Sequence, residues 1–453
     1  MSPRLFALLL AVPALAETVP YFRLRVEYAT TSDWTTLEPV QADSFLSVRQ
    51  MSTFGNFTRA DARVNLLALN QPLASARGGD SVGMTADFAL SPPAGPLEFV
   101  LKKGAVGAST VRLYLVEEAG TKAVAGIGHD GAVPGDTATN TLRFTVSLPE
   151  DAQPRWFERP DRPKMVWAFY YPWYRLRDWA SPQLKDRPLQ PYSSDDPEAI
   201  ARHVEQAREA GIDGFISSWW GPGHYTDQNL ALLLEIAAGR GFAVTIYFET
   251  LASSGARSPA EIRAWLAYFL ERYGGHPALY KVDGKPLVAI WASATVPLDT
   301  WREIFASLRA EGLDACYLAG NLDTKNLAVF DGLHTYSVFN TKDLPATLAA
   351  AGRAVRYYPL LMDAPAPRIW AATAQPGYDE RLIPGRAGLY REREDGAFYR
   401  STLDAALASG PDWLFLTSWN EWWEHTHIEP SEAHLGQYLS ITREYAGKLK
   451  ARP

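Results

Sequence analysis

Residues 195–220 read DDPEAIARHVEQAREAGIDGFISSWW, and they hold one full step of an alternating architecture. Asp195 or Asp196 offers a side-chain oxygen to cap a helix starting at Pro197, where proline's missing N–H costs nothing. The apolar face of that helix carries Ile200, Val204 and Ala207, and Gly211 closes it. Gly214–Ser218 follows as a short apolar run that leads straight into Trp219 and Trp220. A capped amphipathic helix feeding a buried strand is the repeating step of a parallel sheet.

Outward from this stretch the step recurs. Short apolar runs stand at Met165–Tyr171, Gly214–Ser218, Ala243–Phe248, Leu287–Trp291, Ala315–Ala319, Gly332–Val338, Arg356–Leu361 and Trp413–Thr417. Helical segments separate them, and Ser258-Pro-Ala-Glu261 is a capping box with proline at the first helical position. Eight β-then-α units predict a (β/α)8 TIM barrel over residues 165–453. A doubly wound open sheet is the alternative, disfavoured because no glycine-rich phosphate turn follows any strand.

Upstream the period changes to two. Phe22, Leu24, Val26 and Tyr28 alternate with Arg23, Arg25 and Glu27, and the pattern returns around Val111–Val116 and Leu142–Leu148. Residues 17–150 therefore read as an all-β, sandwich-like accessory domain, and the proline-rich, charged residues 151–164 as a linker. Residues 1–16, MSPRLFALLLAVPALA, combine Arg4, an apolar run and a small-x-small end, the pattern of a signal peptide. The expected location is secreted, periplasmic or at the cell surface. Cys316 is the single cysteine, which excludes an intrachain disulfide and a cysteine-based metal site.

Composition narrows the function. A 47% hydrophobic fraction supports a large core, and a net charge of −7 without a basic stripe argues against nucleic acid. No stretch is long enough to span a membrane. The 15 Trp and 21 Tyr supply flat faces suited to the C–H faces of sugar rings, although a large aromatic core uses the same residues.

In a barrel, active groups belong at the C-terminal strand ends. Those ends carry Tyr171, Trp173 and Tyr174; Ser218, Trp219 and Trp220; Glu249; Trp291; Asn321 and Asp323; Tyr336; Asp363; and finally Asn420, Glu421 and Glu424. Glu421 and Glu424 are the expected catalytic pair. Two carboxyls converging on one small volume repel each other and lose solvent, leaving an acid beside a base. Glycosidic cleavage needs that combination. Trp419, Trp422 and Trp423 flank the pair, which is unusual for a solvated helix face. His425 and His427 invite a metal reading, but no third ligand is evident, and neither metal nor cofactor is expected.

At these residues the chain resembles glycoside hydrolase family 99, the endo-α-mannosidase family and its bacterial relatives. The resemblance rests on Phe169-Tyr-Tyr-Pro-Trp-Tyr174, Tyr192-Ser-Ser-Asp-Asp-Pro197, Ala210–Trp220, Tyr280-Lys-Val-Asp-Gly-Lys-Pro286, Phe330-Asp-Gly-Leu-His-Thr-Tyr336, Pro376-Gly-Tyr-Asp379 and Thr417–Pro430, in that order. It implies an endo-acting, metal-independent, retaining enzyme for an α-linked, mannan-like carbohydrate. It implies Glu424 as general acid/base and Glu421 as the group that deprotonates the sugar 2-hydroxyl, giving a 1,2-anhydro sugar. It also implies a substrate contact at Glu249. Tyr171, Trp173, Tyr174, Trp219, Trp220, Tyr336, Asn420 and His427 complete the expected binding residues. The chain departs from the family pattern at Trp423, His425 and His427, where His, Gly and Gln are usual, and at Thr250-Leu251 in place of Pro-Tyr. A non-catalytic carbohydrate-binding protein and a glycosyltransferase relative are the alternatives. Neither the N-terminal domain's role nor the oligomeric state is legible.

Overall fold

The computed structural model describes residues 17–30, 34–39, 45–54, 74–77, 82–103, 108–117, 120–130, 141–252, 255–361 and 368–452. The leader-like residues 1–16 and Asp363 lie outside them. Two compact units form, one from Met1–Pro163 with Pro359–Pro367, the other from Lys164–Tyr358 with Arg368–Pro453.

Among the described residues of the first unit the period-two pattern gives two antiparallel sheets. One orders the strands Phe45–Phe54, Val82–Leu90, Glu17–Thr30, Ala108–Glu117 and Gly120–Asp130; the other orders Ala74–Arg77, Trp34–Pro39, Leu97–Lys103 and Thr141–Val146. Leu24, Val26 and Leu113 of one sheet share a core with Leu97, Phe99 and Val146 of the other. The stretch read as a linker is not all connection, because Arg155–Arg159 pairs with Glu17–Tyr21 as a further strand. Its alternation, with Trp156 and Glu158 out and Arg159 buried, was masked by the surrounding prolines.

The second unit is a closed barrel of eight parallel strands. They are β1 Met165–Tyr170, β2 Gly214–Trp219, β3 Ala243–Glu249, β4 Lys285–Trp291, β5 Cys316–Gly320, β6 Gly332–His334, β7 Ile369–Ala374 and β8 Trp413–Leu416. Each pairs with its sequence neighbours, and β8 closes on β1 through Met165↔Trp413 to Ala168↔Leu416. Around it lie α1 Pro197–Glu209, α2 Tyr225–Ala238, α3 Pro259–Tyr273, α4 Leu298–Ala310, α5 Leu344–Arg356, α6 Ala397–Ala408 and α7 Gln437–Lys450. The fifth crossover uses only a 3-10 turn, Thr324–Ala328.

Local chemistry explains the elements. Asp196 accepts the Glu198 amide at 3.0 Å with Pro197 inside the first turn, and Ser258 does the same for Glu261 at 3.2 Å. After α1 the backbone turns at Gly211 with φ +78°, where a Cβ would stand 2.8 Å from the Ala446 side chain, so only glycine fits. An aspartate before each of β2, β6 and β8 ties the barrel floor. Asp213 accepts from Val166, Asp331 from Tyr317 and Asp412 from Trp370, all at 2.8–2.9 Å. Each bond satisfies the amide near the start of the neighbouring strand.

One expected strand is wrong. Arg356–Leu361 is helical, the end of α5 and a short turn at Tyr358–Leu361, and the seventh strand is Ile369–Ala374. An apolar run of that length reads as either element. The true strand, IWAATA, is alanine-rich, a poor β signal that tertiary burial overrides. Gly332–Val338 also shortens to Gly332–His334.

The barrel interior is aromatic. Phe169, Tyr247, His334 and Phe415 form a layer with neighbouring ring centroids 4.6–6.2 Å apart. It makes a solid floor under the C-terminal mouth.

Candidate active site

β8 delivers the chain to the mouth, where residues 418–428 fold back on themselves. The Ser418 hydroxyl accepts the Glu421 amide at 2.7 Å, and the Ser418 amide donates to the Thr426 carbonyl at 2.9 Å. Asn420 fixes this loop to the end of β1. Its side chain accepts the Tyr171 amide at 2.7 Å and donates to the Tyr171 carbonyl at 3.1 Å and the Tyr192 hydroxyl at 3.0 Å. With its bonding used up and no exposure, Asn420 is a strut behind the site and not the sugar contact expected of it.

Glu421 and Glu424 come together at the mouth, with different surroundings. Glu421 is 4% exposed and faces donors: the Trp423 amide at 3.0 Å and the Tyr174 hydroxyl at 3.4 Å. That hydroxyl in turn accepts the Trp422 amide at 2.9 Å, so buried Tyr174 backs Glu421. Glu424 is more open. Tyr336 reaches its Oε2 and Tyr378 its Oε1, each at 3.4 Å, while Arg386 stands 3.8 Å from Oε1. Burial pushes both carboxyls above the usual range, Glu421 further because Glu424 lies beside it; Arg386 and Tyr336 pull Glu424 partly back. The pair gives up its protons in two steps that belong to both groups.

Glu249, at the end of β3, is a third buried carboxyl. Burial raises its pKa to about 8, against an opposing hydrogen bond from Ser218 at 2.7 Å. Trp220 donates to the same Ser218 oxygen at 3.1 Å, so the β2 and β3 ends form one hydrogen-bonded chain.

The rim above these groups is aromatic. Trp173, Trp220, Trp291, Tyr336 and Trp423 are all half-buried. Tyr171 lies just beneath, 4.6 Å from the Trp173 ring. Besides Asn420, two more expected contacts fall elsewhere. Trp219 is fully buried in the helix layer, donating to Asp227 at 2.9 Å and packed on Trp265 and Phe269. Strand alternation turns it outward when Ser218 faces in. His427 is buried behind Trp422, stacked at 3.8 Å, with its Nε2 3.2 Å from Asp186. Burial and the neighbouring Arg393 hold it neutral, with a pKa of about 3.

The loop from β7 to α6 contributes Tyr378, Glu380 and Arg386, which strand-end reasoning passed over. Tyr378 stands in the Pro376–Asp379 motif, a signal that pointed to it. Among the described residues no cluster of His, Cys, Asp or Glu has the grouping of a metal site, and no helix is long and apolar enough to cross a membrane.

A closed (β/α)8 barrel whose mouth joins a buried carboxyl pair to an aromatic rim has the build of a glycoside hydrolase. The glycosyl hydrolase family 99 model matches residues 186–441, more than half of the chain, and the chain belongs to that family. It is 26% identical to a rat glycoprotein endo-alpha-1,2-mannosidase over 69% of this chain and 82% of that protein. It is 28% identical to a human glycoprotein endo-alpha-1,2-mannosidase-like protein over 57% of this chain and 63% of the relative. The family 99 endo-alpha-mannosidase structure from Bacteroides thetaiotaomicron aligns with a TM-score of 0.55 and 26% identity, covering 64% of this chain and 98% of that one. The protein is a glycoside hydrolase, with carbohydrate as its substrate.

Proposed function

We infer that this hydrolase is exported and cleaves an α-linked, mannan-like polysaccharide or glycan internally, with retention of configuration. The observation that carries the chemistry is the unlike setting of the two carboxyls. Glu421 lies deeper, where burial and the neighbouring Glu424 raise it the further and make it the stronger base of the two, while Glu424 is the more open of the pair and can meet a leaving oxygen. The names of the relatives support the substrate class, and the leader-like residues 1–16 support export.

The sequence of steps follows the family resemblance. Glu421 takes the proton of the sugar 2-hydroxyl as O2 attacks C1. The C1–O bond to the leaving group breaks, and Glu424 gives its proton to that oxygen. Water then attacks C1 of the 1,2-anhydro sugar, losing a proton to Glu424, while O2 leaves C1 and recovers its proton from Glu421. Two inversions give net retention. This is a substrate-assisted variant of the two-carboxylate scheme.

The test is digestion of α-mannan and α-glucan panels, with proton NMR of the first-formed anomer. Glu421→Gln and Glu424→Gln are each expected to lower turnover by about 10²–10⁴-fold while melting like the parent. Binding without new reducing ends on every substrate, or near-native turnover by either variant, sinks the reading.

A further inference from the structure

Tyr378 has one hydroxyl hydrogen and two carboxylates within reach. Glu380 Oε2 is 2.6 Å away, whereas Glu424 Oε1 is 3.4 Å away. The hydrogen therefore belongs to Glu380, and the phenolic oxygen turns a lone pair toward Glu424. The tyrosine ring is clamped against Phe339 in a stack with centroids 4.1 Å apart and an interplanar angle of 2°. The loop is pinned beside the site by the Asp379 amide, which donates to the Glu424 carbonyl at 2.8 Å. Glu380 is 3% exposed and held as an acceptor, taking the Leu389 amide on Oε1 at 3.1 Å with Arg386 3.6 Å from Oε2.

We propose that Tyr378 and Glu380 are positioning residues that hold the acid proton on Glu424 Oε1: Glu380 takes the phenolic hydrogen, and the freed lone pair of Tyr378 accepts the carboxylic hydrogen of Glu424. The other side of Glu424 fits this arrangement, because Tyr336 approaches Oε2, the oxygen left as carbonyl. Once Glu424 has given its proton to the leaving oxygen, the Tyr378 hydroxyl can turn its own hydrogen to the new carboxylate, and Arg386 already faces Oε1. Tyr378 keeps its proton throughout. The relay thus serves the acid in the first step and its conjugate base in the second.

The charged and titratable groups around Glu424 set the balance. Tyr378, Glu380 and Arg386 face it from the β7–α6 loop, Tyr336 from beyond β6, Glu421 from its own loop, Glu249 and Tyr247 from β3, and Tyr171 from the end of β1. Burial, then Glu380, raises Glu424, while Arg386, Tyr336 and Tyr378 lower it, Tyr378 only as a donor, the arrangement that its shorter bond to Glu380 displaces. Glu380 itself is kept below its usual range, since Tyr378, Leu389 and Arg386 outweigh burial. Glu380 therefore does not compete for the proton.

The inference rests on Glu424 being the acid, and the test separates the two claims. The Glu424 carboxyl is titrated by carbon-13 NMR in the substrate-free protein, with Glu424→Gln assigning the resonance. Tyr378→Phe removes the lone pair and leaves Arg386 in place, so the titration is expected to fall by about one pH unit. The alkaline limb of kcat/KM on the cleaved glycan is expected to move down with it, a loss of about tenfold on that limb. Glu380→Asp, which keeps the acceptor on a shorter arm, is expected to shift both readouts less. A Glu424 titration that is unmoved or raised in folded Tyr378→Phe overturns the relay. Full turnover by Glu424→Gln overturns instead the acid assignment on which it rests.

Discussion

The loop that follows β8 has a front and a back, and residues adjacent in sequence fall on opposite sides. Glu421, Trp423 and Glu424 line the mouth; Trp419, Asn420, Trp422 and His427 pack behind it, fully or almost fully buried. Front groups retain unused bonding capacity or open ring faces. Behind the mouth, Asn420 spends its bonding capacity on Tyr171 and Tyr192, and His427 on Asp186. Chemistry needs the first condition, and preorganisation needs the second. The difference teaches that a residue's type says little about which side it takes, and that losses on each side should differ in kind.

The back is the place to break the molecule. Asn420→Ala strips partners from three buried groups, and the expected cost is about 2–4 kcal/mol of stability, with turnover falling as the loop loosens. Urea unfolding together with kinetics checks it. A variant that unfolds like the parent and loses only affinity would move Asn420 to the front.

Glu249 sharpens the boundary through pH. Its folded pKa of about 8 lies above its ordinary value of 4.5, so between those limits the unfolded chain binds fewer protons than the native state. Stability accordingly falls as pH rises from about 4.5 to about 8. Glu249→Gln, neutral at every pH, is expected to flatten that fall and add about 1–3 kcal/mol at pH 8. Melting curves of both proteins across the range decide it. An unchanged slope contradicts the buried, protonated assignment.

The smallest effect is expected at the rim. Trp291→Ala removes a half-buried ring beside Glu249 and should raise KM by about tenfold, or about 1.4 kcal/mol, with little change in melting. Trp219→Ala, by contrast, should lower the melting temperature first, because that ring fills the helix layer. Equal KM effects from the two would erase the distinction.

Sequence by itself determined the architecture and the carboxyl pair. Periods of two and of helix-plus-strand are local, set by where each backbone conformation points its side chains, so they survive without coordinates. They located seven of the eight strands and placed Glu421 and Glu424 just past the last one. The seventh strand was lost because IWAATA announces no β preference, and Arg155–Arg159 was lost among prolines.

Tertiary structure alone decided which side each residue serves. Nothing in Ser-Ser-Trp-Trp says that Trp219 turns to the helices while Trp220 stays at the mouth; the inward or outward setting of β2 says it. Nor does any local pattern bring Tyr378, Glu380 and Arg386 to Glu424, since that meeting depends on a long loop folding back across the mouth. Hydrogen-bond partners, and through them the proton states of buried carboxyls, are properties of contacts far apart in the chain.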